Sequence, residues 1–295
     1  MDQKSTIVSL LRIKQWYKNT VIFLGIVFGG VLLSPENILI SILGFVALCL
    51  TISSCYIRND IIDLEQDRVH PEKRNRPLAS NQITLKQANS VLLIIFVIAI
   101  TLSFCLNLYF GILMVILFIN SEIYSRITKK ILFLDVSSIG LNFVIRSVCG
   151  IILIQTVISP WIIVGVFFIA LFLAFLKRKS EKITLKDLAI SHRSVLTKYS
   201  DKMLSLSVYG TGILVILTFV CYSTFGYYTD GRLILTIPFI VLSILRQFQL
   251  SKINHPLIQK NEFYKDKITA ALIIGFSVLT LVLIYTDVYN TLLTL

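Results

Sequence analysis

The sequence predicts an all-α integral membrane protein with nine transmembrane helices, its N-terminus inside the cell and its C-terminus outside. Of its 295 residues, 56% are hydrophobic and 15% are charged, whereas a soluble domain of this size carries about 25% charged residues. The apolar residues fall in blocks of roughly 18 to 22, the length that crosses about 30 Å of hydrocarbon. The basic residues lie almost entirely on one side of these blocks, and the alternation typical of strands is absent.

The apolar blocks follow one another along the chain with long polar connections on one side and short ones on the other. The first block lacks a small-residue cleavage site, so we expect it to be retained as a span rather than removed as a signal peptide. The nine predicted spans cover approximately 19–34, 37–57, 86–105, 108–124, 134–154, 160–176, 203–223, 232–250 and 268–286.

The distribution of positive charge predicts the orientation. The cytoplasmic segments would hold every Lys and Arg except Arg146 and Arg232, and the opposite connections hold none; this is the positive-inside pattern. The net charge of +12 is then explained by orientation and by contact with anionic lipid headgroups, and nucleic acid is not needed as a partner. The predicted cytoplasmic segments are 1–18, 58–86, 125–133, 177–202 and 246–267.

We expect one transmembrane domain over residues 1–295. Residues 5–17 place apolar positions at helical spacing, which predicts an amphipathic helix on the membrane surface within 1–18. Lys14 and Lys18 would share a face of this helix near Asn19, so all three are candidates for binding a phosphate. The long connections 58–86 and 177–202 are the predicted catalytic loops, because functional chemistry tends to lie on such polar connections.

The sharpest polar feature is the segment RNDIIDLEQDRVHPEKRNRPLAS, residues 58–80. Asp60, Asp63 and Asp67 stand at i, i+3 and i+7, so a helix would stack them along one face beside Asn59. Stacked carboxylates near a membrane need a cation to offset their charge, and hard oxygen ligands suit Mg²⁺. The pattern predicts a Mg²⁺ site formed by these four residues; a solvated helix end with mixed charges is the alternative.

Basic residues follow the acidic ones directly. Prolines at 71 and 77 stop the helix and turn the chain, so the cations between them can fold back over the acidic residues. A metal ion together with basic side chains is what a diphosphate requires, which makes Lys73, Arg74 and Arg76 candidate substrate ligands.

Polar side chains also form one face of the fifth predicted span. Asp135, Ser138, Asn142 and Arg146 recur at helical spacing in an otherwise apolar segment. Arg146 lies roughly 16 Å into the helix at 1.5 Å per residue, and a charge at such depth generally faces a cavity or a carboxylate. We expect Asp135, Asn142 and Arg146 to line a polar substrate cavity; a structural salt bridge between helices is the alternative.

Two further groups of candidates lie at the cytoplasmic ends of the spans. The run LKRKSEKI, residues 176–183, is most simply a positive-inside anchor, but its surplus charge also suits a polyphosphate. Lys177 and Glu181 are spaced to pair along a helix, and we count both, with Arg178, among the substrate-binding candidates. Tyr124 and Lys129 precede the fifth span and complete the set.

The residues Asn59-Asp60-x-x-Asp63-x-x-x-Asp67 resemble the NDxxDxxxD signature of the UbiA superfamily of membrane prenyltransferases. The resemblance implies a nine-helix bundle around a lipid-open central cavity, with Asn59, Asp60 and Asp63 catalytic and Mg²⁺ as the cofactor. Most of that superfamily carries a second DxxxD motif near the fifth or sixth span. Here only Asp135 is present, and position 139 is Ile, which is a departure from the pattern of enzymes with aromatic acceptors.

Other segments are similar to one branch of the superfamily, the decaprenyl-phosphate phosphoribosyltransferases. That branch transfers 5-phosphoribosyl from phosphoribosyl diphosphate to a polyprenyl phosphate and releases diphosphate, in the synthesis of cell-envelope glycan precursors. The resemblance implies these two substrates and a multi-pass protein of the cell membrane whose active site faces the cytoplasm. The similar segments are LLRIKQWYKN (10–19), residues 59–77, YSRITKKILFLD (124–135), FVIRSVCG (143–150), FLKRKSEK (175–182) and RSVLTKYS (193–200).

Two alternatives stay open at the level of the sequence. A prenyltransferase that uses a prenyl diphosphate on an aromatic or other acceptor would share the metal site. A membrane transporter would use the intramembrane charges as an ion pathway, but inverted repeats and glycine-broken spans are not evident in the sequence.

Overall fold

A computed structural model describes residues 3–70, 73–157, 159–185, 194–226, 231–259 and 262–293. These residues form helices, turns and connections, and no strand occurs among them, as the sequence predicts. The α-helices are α1 Gln3–Leu10, α2 Leu24–Phe28, α3 Pro35–Ile62, α4 Leu64–Val69, α5 Leu85–Leu106, α6 Leu108–Arg126, α7 Leu134–Leu153, α8 Pro160–Leu185, α9 Asp201–Phe225, α10 Ile237–Lys252, α11 Pro256–Gln259 and α12 Lys267–Leu293. Short 3₁₀ helices are Ile13–Phe23, Lys73–Asn75, Thr128–Lys130, Ser194–Lys198, Arg232–Thr236 and Phe263–Lys265.

Within the described residues, eight helices are long and apolar enough to cross a membrane. They correspond to the second to ninth predicted spans. Their bounds are Pro35–Ile62, Leu85–Leu106, Leu108–Arg126, Leu134–Leu153, Pro160–Ile183, Asp201–Phe225, Arg232–Lys252 and Lys267–Thr286.

The first predicted span, 19–34, differs from the others. Its residues belong to the 3₁₀ helix Ile13–Phe23 and then to α2, which ends at Phe28. The chain leaves the helix at Gly29 and Gly30, and Gly30 adopts a φ of 69° that a residue with a side chain rarely tolerates. This segment is therefore not a single α-helix of spanning length.

The predicted surface helix over 5–17 is also interrupted. The α-helix ends at Leu10, and Arg12 adopts a left-handed conformation with a φ of 51°. Leu10 is fully buried, in a cluster with Ile57 of α3 and with Leu78. The break lets the chain turn so that both α1 and the following 3₁₀ helix contact α3.

Local sequence explains where the long helices begin. The Ser34 hydroxyl accepts a hydrogen bond from the Asn37 N–H at 3.4 Å, and Pro35 occupies the first position of α3, where its missing N–H costs nothing. Thr84 and Gln87 form a capping box at the start of α5. Asn107 caps α6 and also separates it from α5.

The chain divides into two compact units. The first comprises Met1–Ile26, Leu32–Lys129 and Ile145–Thr156, and the second comprises Val27–Val31, Lys130–Val144 and Val157–Leu295. The core of the first unit includes Ala47, Leu48, Phe110 and Met114. The core of the second unit is built on α8 and α9, with residues such as Phe172, Phe175, Leu204 and Val208.

Candidate active site

The acidic cluster lies where α3 gives way to α4 in the first unit. Asp63 ends α3 with φ −93° and ψ 8°, and α4 begins at the next residue. The hydrogen-bond ladder nevertheless continues across this break: the Asp63 N–H donates to the Asn59 carbonyl at 2.9 Å, and the Asp67 N–H donates to the Asp63 carbonyl at 2.8 Å. The acidic residues therefore keep the helical order that the sequence predicts, with a break at the middle one.

Arg76 joins two of the carboxylates. Its Nη1 lies 3.0 Å from Asp60 Oδ1 and 2.5 Å from Asp67 Oδ2, and both aspartates are buried. Lys73 Nζ lies 3.7 Å from Asp67 Oδ1. The basic segment after α4 thus folds back over the acidic residues, as predicted from the prolines, although Pro71 itself lies outside the described residues. Arg74 of the same segment is exposed.

The third carboxylate has different partners. Lys129 Nζ lies 2.5 Å from Asp63 Oδ1, and the Ser125 hydroxyl donates to Asn59 Oδ1 at 2.8 Å. Lys129 and Ser125 come from the end of α6 and the 3₁₀ turn that follows it, and Tyr124 is half-buried on the same helix end. The end of α6 is therefore a second wall of the site.

Arg12 also contacts the site, which the sequence pattern did not predict. Its Nη2 makes an ion pair with Asp60 Oδ1, and its guanidinium carbon lies 4.6 Å from the centre of the Tyr56 ring. Sequence spacing gave no signal for this contact, because Arg12 is 48 residues from Asp60 and is placed by the turn between α1 and the 3₁₀ helix. Arg12 lies in LLRIKQWYKN (10–19), a segment similar to the decaprenyl-phosphate phosphoribosyltransferases.

The predicted metal-ligand set is only partly brought together. In the described ranges, no three His, Cys, Asp or Glu side chains converge as ligands for one metal ion. Asp60 and Asp67 do converge, because one Arg76 nitrogen contacts both. Mg²⁺ usually binds one or two carboxylates and fills its other positions with water and substrate phosphate. The Asp60–Asp67 pair therefore offers the carboxylate ligands that a Mg²⁺ ion uses in proteins.

The N-terminal candidates are arranged differently from the prediction. Lys14 and Lys18 were expected to share a helix face at i, i+4, but a 3₁₀ helix has three residues per turn and aligns i with i+3 instead. Lys14 is exposed, and Lys18 Nζ lies 3.4 Å from Gln15 Oε1. Asn19 is buried, and its amide donates to Cys49 Sγ at 3.2 Å. The three residues do not form one phosphate-binding face.

The polar stripe of the fifth predicted span lies on α7. Arg146 is buried in the first unit, on the part of α7 that also carries Cys149. Asn142 is half-buried and belongs to the part of α7 in the second unit.

A second buried ionic cluster lies in the second unit. Asp135 Oδ2 accepts from Arg178 Nε at 2.8 Å, and Asp135 Oδ1 accepts from the Tyr199 hydroxyl at 2.7 Å. Glu181 Oε2 lies 3.0 Å from Arg178 Nη1, and Lys177 Nζ lies 3.8 Å from Glu181 Oε1, which confirms the predicted spacing of that pair. Arg178 has only 1% of its surface exposed. Arg178 therefore contacts two carboxylates, those of Asp135 and Glu181, and is buried from solvent.

Tyr199 holds this cluster to the turn before α7. Its hydroxyl accepts a hydrogen bond from the Phe133 N–H at 3.0 Å, where Phe133 has a φ of 63°. Its carbonyl accepts from Lys182 Nζ at 2.6 Å. Burial and the neighbouring Asp135 carboxylate raise the pKa of the Tyr199 phenol well above its ordinary value. The preceding residues of the predicted basic segment, His192 and Arg193, lie outside the described residues.

Comparison with protein families decides the class of this chain. A model of the UbiA prenyltransferase family matches residues 20–265. The chain belongs to the UbiA prenyltransferase family. It is therefore a transferase of a membrane family.

Curated relatives include several decaprenyl-phosphate phosphoribosyltransferases. The enzyme of Mycolicibacterium smegmatis is 28% identical over 204 residues, which cover 68% of this chain and 64% of that protein. The enzyme of Mycobacterium tuberculosis H37Rv is 26% identical over 229 residues, covering 76% of this chain and 75% of that protein. An uncharacterized protein of Sinorhizobium fredii, y4nM, is 34% identical over 169 residues, which are 57% of this chain but only 33% of that protein.

Solved structures show the same fold. A UbiA homolog from Archaeoglobus fulgidus bound to GPP and Mg²⁺ has a TM-score of 0.70 at 16% identity, and the match covers 93% of this chain and 99% of that one. A structure of digeranylgeranylglyceryl phosphate synthase has a TM-score of 0.57 at 20% identity and covers 97% of this chain and 98% of that one. At this identity the likeness establishes the fold.

Proposed function

We propose that this UbiA-family transferase moves a 5-phosphoribosyl group from phosphoribosyl diphosphate to a polyprenyl phosphate and releases diphosphate. The observation that carries the proposal is the difference between the partners of Asp60 and Asp67 and the partners of Asp135. Asp60 and Asp67 converge on one cation position, whereas Asp135, the remnant of a second acidic motif, is neutralised by Arg178 and bonded to Tyr199. The chain thus offers one metal–diphosphate site and no free second carboxylate at Asp135.

The charges of the acidic site support a diphosphate donor. Among the described residues, Arg12, Lys73, Arg76 and Lys129 pair with Asp60, Asp63 and Asp67, so four cations face three carboxylates. A divalent cation on the Asp60–Asp67 pair would add to this excess. The diphosphate of an ester donor, with up to about three negative charges, then restores the balance.

The reaction needs little proton transfer from the protein. Bound Mg²⁺ would supply charge neutralisation for the departing diphosphate, which weakens the C1–O bond. Arg76 and Lys73, next to the carboxylates, would bond the same diphosphate as its charge grows. The acceptor phosphate is already anionic, so attack on C1 needs no strong general base. Attack from the face opposite the leaving group predicts inversion at C1.

The donor's 5-phosphate requires cations of its own. Arg74 is exposed and lies in the chain between Lys73 and Arg76, both of which contact the acidic residues, so it suits this role. Arg178 is held in the interior of the second unit by the Asp135 and Glu181 carboxylates. We assign Arg178 and Glu181 a structural role inside the second unit rather than direct phosphate contact.

We further propose that the chain is one transmembrane domain of the cell membrane, with nine crossings, a cytoplasmic active site and an external C-terminus. The crossing made in addition to the eight long helices would be the first predicted span, 19–34, which holds the end of the 3₁₀ helix and α2. A 3₁₀ helix rises about 2.0 Å per residue, against about 1.5 Å for an α-helix, so its residues cover more of the hydrocarbon thickness than the same number in an α-helix.

The test is formation of a labelled lipid by the purified protein. The protein in lipid nanodiscs is incubated with Mg²⁺, phosphoribosyl diphosphate labelled in the sugar, and a polyprenyl phosphate. We expect a labelled polyprenyl product from the native chain and none from Asp60→Asn. The proposal is wrong if no labelled lipid forms while the same preparation transfers a prenyl group from a prenyl diphosphate to an aromatic acceptor.

A further inference from the structure

Arg12 is held in place by an N-terminal strap, residues 10–16, that docks on α3. The Ser53 hydroxyl donates to the Leu11 carbonyl at 2.8 Å and accepts from Trp16 Nε1 at 3.1 Å. Leu10 is buried against Ile57 at one end of the strap. Both ends of the turn that contains Arg12 are therefore fixed to the same helix.

The backbone of Arg12 is in an unfavourable conformation. Its φ of 51° and ψ of 42° place it in the left-handed region, which an arginine rarely adopts. A strained residue persists only where the surrounding contacts determine it, and such residues cluster at ligand sites. The Ser53 bridge and the buried Leu10 supply those contacts here.

The guanidinium is fixed as well as the backbone. It stacks on the Tyr56 ring and pairs with Asp60, and only 16% of the side chain is exposed. Asp60 already has a second arginine, because Arg76 Nη1 lies 3.0 Å from the same Oδ1 atom. One buried carboxylate oxygen thus faces two guanidinium groups, of which Arg76 is shared with Asp67 and Arg12 is not.

We propose that Arg12 is a further substrate-binding residue, which exchanges Asp60 for the donor's diphosphate when a divalent cation occupies Asp60. The inference rests on the proposed function only in its use of a diphosphate donor, which a prenyl donor would share. A cation on Asp60 removes the attraction that holds Arg12 there. Tyr56 and the strap keep the guanidinium beside the site, where its planar fork bonds a phosphate oxygen pair.

Binding of magnesium and inorganic diphosphate to the full-length protein in nanodiscs tests this role without choosing between sugar and prenyl donors. We expect Arg12→Gln to weaken the affinity by about tenfold or more, and Arg12→Lys by about threefold because the charge stays but the fork is lost. Arg68→Gln is the matched control, since Arg68 pairs with exposed Glu65 outside the site and should leave the affinity unchanged. The proposal would be overturned if folded Arg12→Gln bound magnesium and inorganic diphosphate with the affinity of the native chain.

A second pair of variants covers the case in which Arg12→Gln does not fold. Tyr56→Leu removes the ring under the guanidinium and should weaken diphosphate binding several-fold, whereas Tyr56→Phe keeps the ring and should not. Equal affinities for these two variants would contradict the proposal. The native chain could bind magnesium diphosphate and still form no labelled lipid from phosphoribosyl diphosphate. That result would contradict the proposed reaction, but the affinities of the Arg12 and Tyr56 variants would still test the role of Arg12.

Discussion

Arg76 is the residue on which the acidic site depends most. Its single Nη1 atom bonds both Asp60 and Asp67, which are buried side by side. Without it, the two carboxylates would lie close together with only Arg12 and Lys73 as cationic partners, and the loss of the shared partner would destabilise the folded chain. Arg74, two residues away, is exposed.

We expect Arg76→Gln to lower both the unfolding temperature and the affinity for the donor. Arg74→Gln serves as the stability control and should unfold at the native temperature, because it leaves the buried carboxylates paired. Thermal unfolding in nanodiscs, followed by circular dichroism, distinguishes the two. Addition of saturating Mg²⁺ should recover part of the loss in Arg76→Gln, since a cation on Asp60 and Asp67 replaces the missing charge. Equal unfolding temperatures for both variants would contradict this view of the site.

The sequence predicted which residues form the acidic site better than it predicted the contacts between them. Spacing placed the acidic side chains in helical order, and the prolines predicted the return of Lys73 and Arg76. Spacing could not reveal that Asp63 pairs with Lys129 of the 3₁₀ turn after α6, because that contact joins residues 66 apart. Arg12 was missed for the same reason: its position depends on a left-handed turn and on a serine in another helix.

At the scale of elements, close packing between α2 and α7 is a defining feature of the first unit. A Cβ on Gly150 would overlap the backbone carbonyl of Ile22, and a Cβ on Gly25 would lie 2.9 Å from the Gly150 carbonyl carbon. Neither neighbour is a flexible side-chain end, so the backbone itself would have to move. The two glycines therefore set the distance between these segments.

Gly150→Ala should destabilise the protein, by about 1 to 3 kcal/mol as for other overpacked cores. The matched variant is Gly210→Ala in α9, where no atom lies within 4 Å of the added Cβ. There alanine should stabilise the helix by up to about 1 kcal/mol, since glycine is the poorer helix former. Unfolding by heat or by a denaturing detergent measures both. Similar shifts for the two variants would mean that the α2–α7 approach is not tight.

The start of α12 gives a prediction of pH dependence. Hydrogen bonds from Arg246, at 2.7 and 3.0 Å, hold the pKa of Asp266 well below its ordinary range, and the Thr269 N–H donates to the same carboxylate at 3.0 Å. A carboxyl group with a lowered folded-state pKa contributes stability above its unfolded pKa of about 3.9. That contribution is lost as the pH falls from there through the folded-state value.

Native protein should therefore unfold at a higher temperature than Asp266→Asn at pH 6. The difference should shrink once the pH falls below about 4, where the unfolded chain gains a proton at Asp266 that the folded chain resists. Unfolding temperatures of both proteins between pH 6 and pH 3 give the comparison. A difference that stays constant across this range would show that the Arg246 contact does not act through charge.

At the scale of the whole molecule, the sequence predicted the all-α class, and eight of its nine predicted spans correspond to long apolar helices among the described residues, since length and hydropathy alone identify such a helix. The exception, 19–34, shows the limit of this inference. Its apolar composition matches a span, but it begins in a 3₁₀ helix, and its α-helix ends at Phe28, before Gly29 and Gly30; hydropathy registers neither feature. The division into two units, with α7 shared between them, also depends on tertiary packing.

The number of crossings decides on which side the C-terminus lies. With nine crossings and a cytoplasmic N-terminus, alkaline phosphatase fused after residue 295 should be active and green fluorescent protein fused there should be dark. A fusion of the same reporters in the connection near residue 82 should show the reverse. A fluorescent C-terminal fusion of green fluorescent protein would indicate eight crossings. In that case the 3₁₀ helix and α2 do not cross the membrane.

The central claim is that the site around Asp60 and Asp67 cleaves the diphosphate of a phosphoribosyl donor for a lipid acceptor. The most direct measurement is diphosphate release from phosphoribosyl diphosphate by the purified chain, with and without polyprenyl phosphate. We predict Mg²⁺-dependent release that requires the lipid and is abolished in folded Asp60→Asn but retained in Arg68→Gln. The claim would be contradicted if the rate of diphosphate release were the same with and without polyprenyl phosphate, or if Asp60→Asn released diphosphate at a near-native rate.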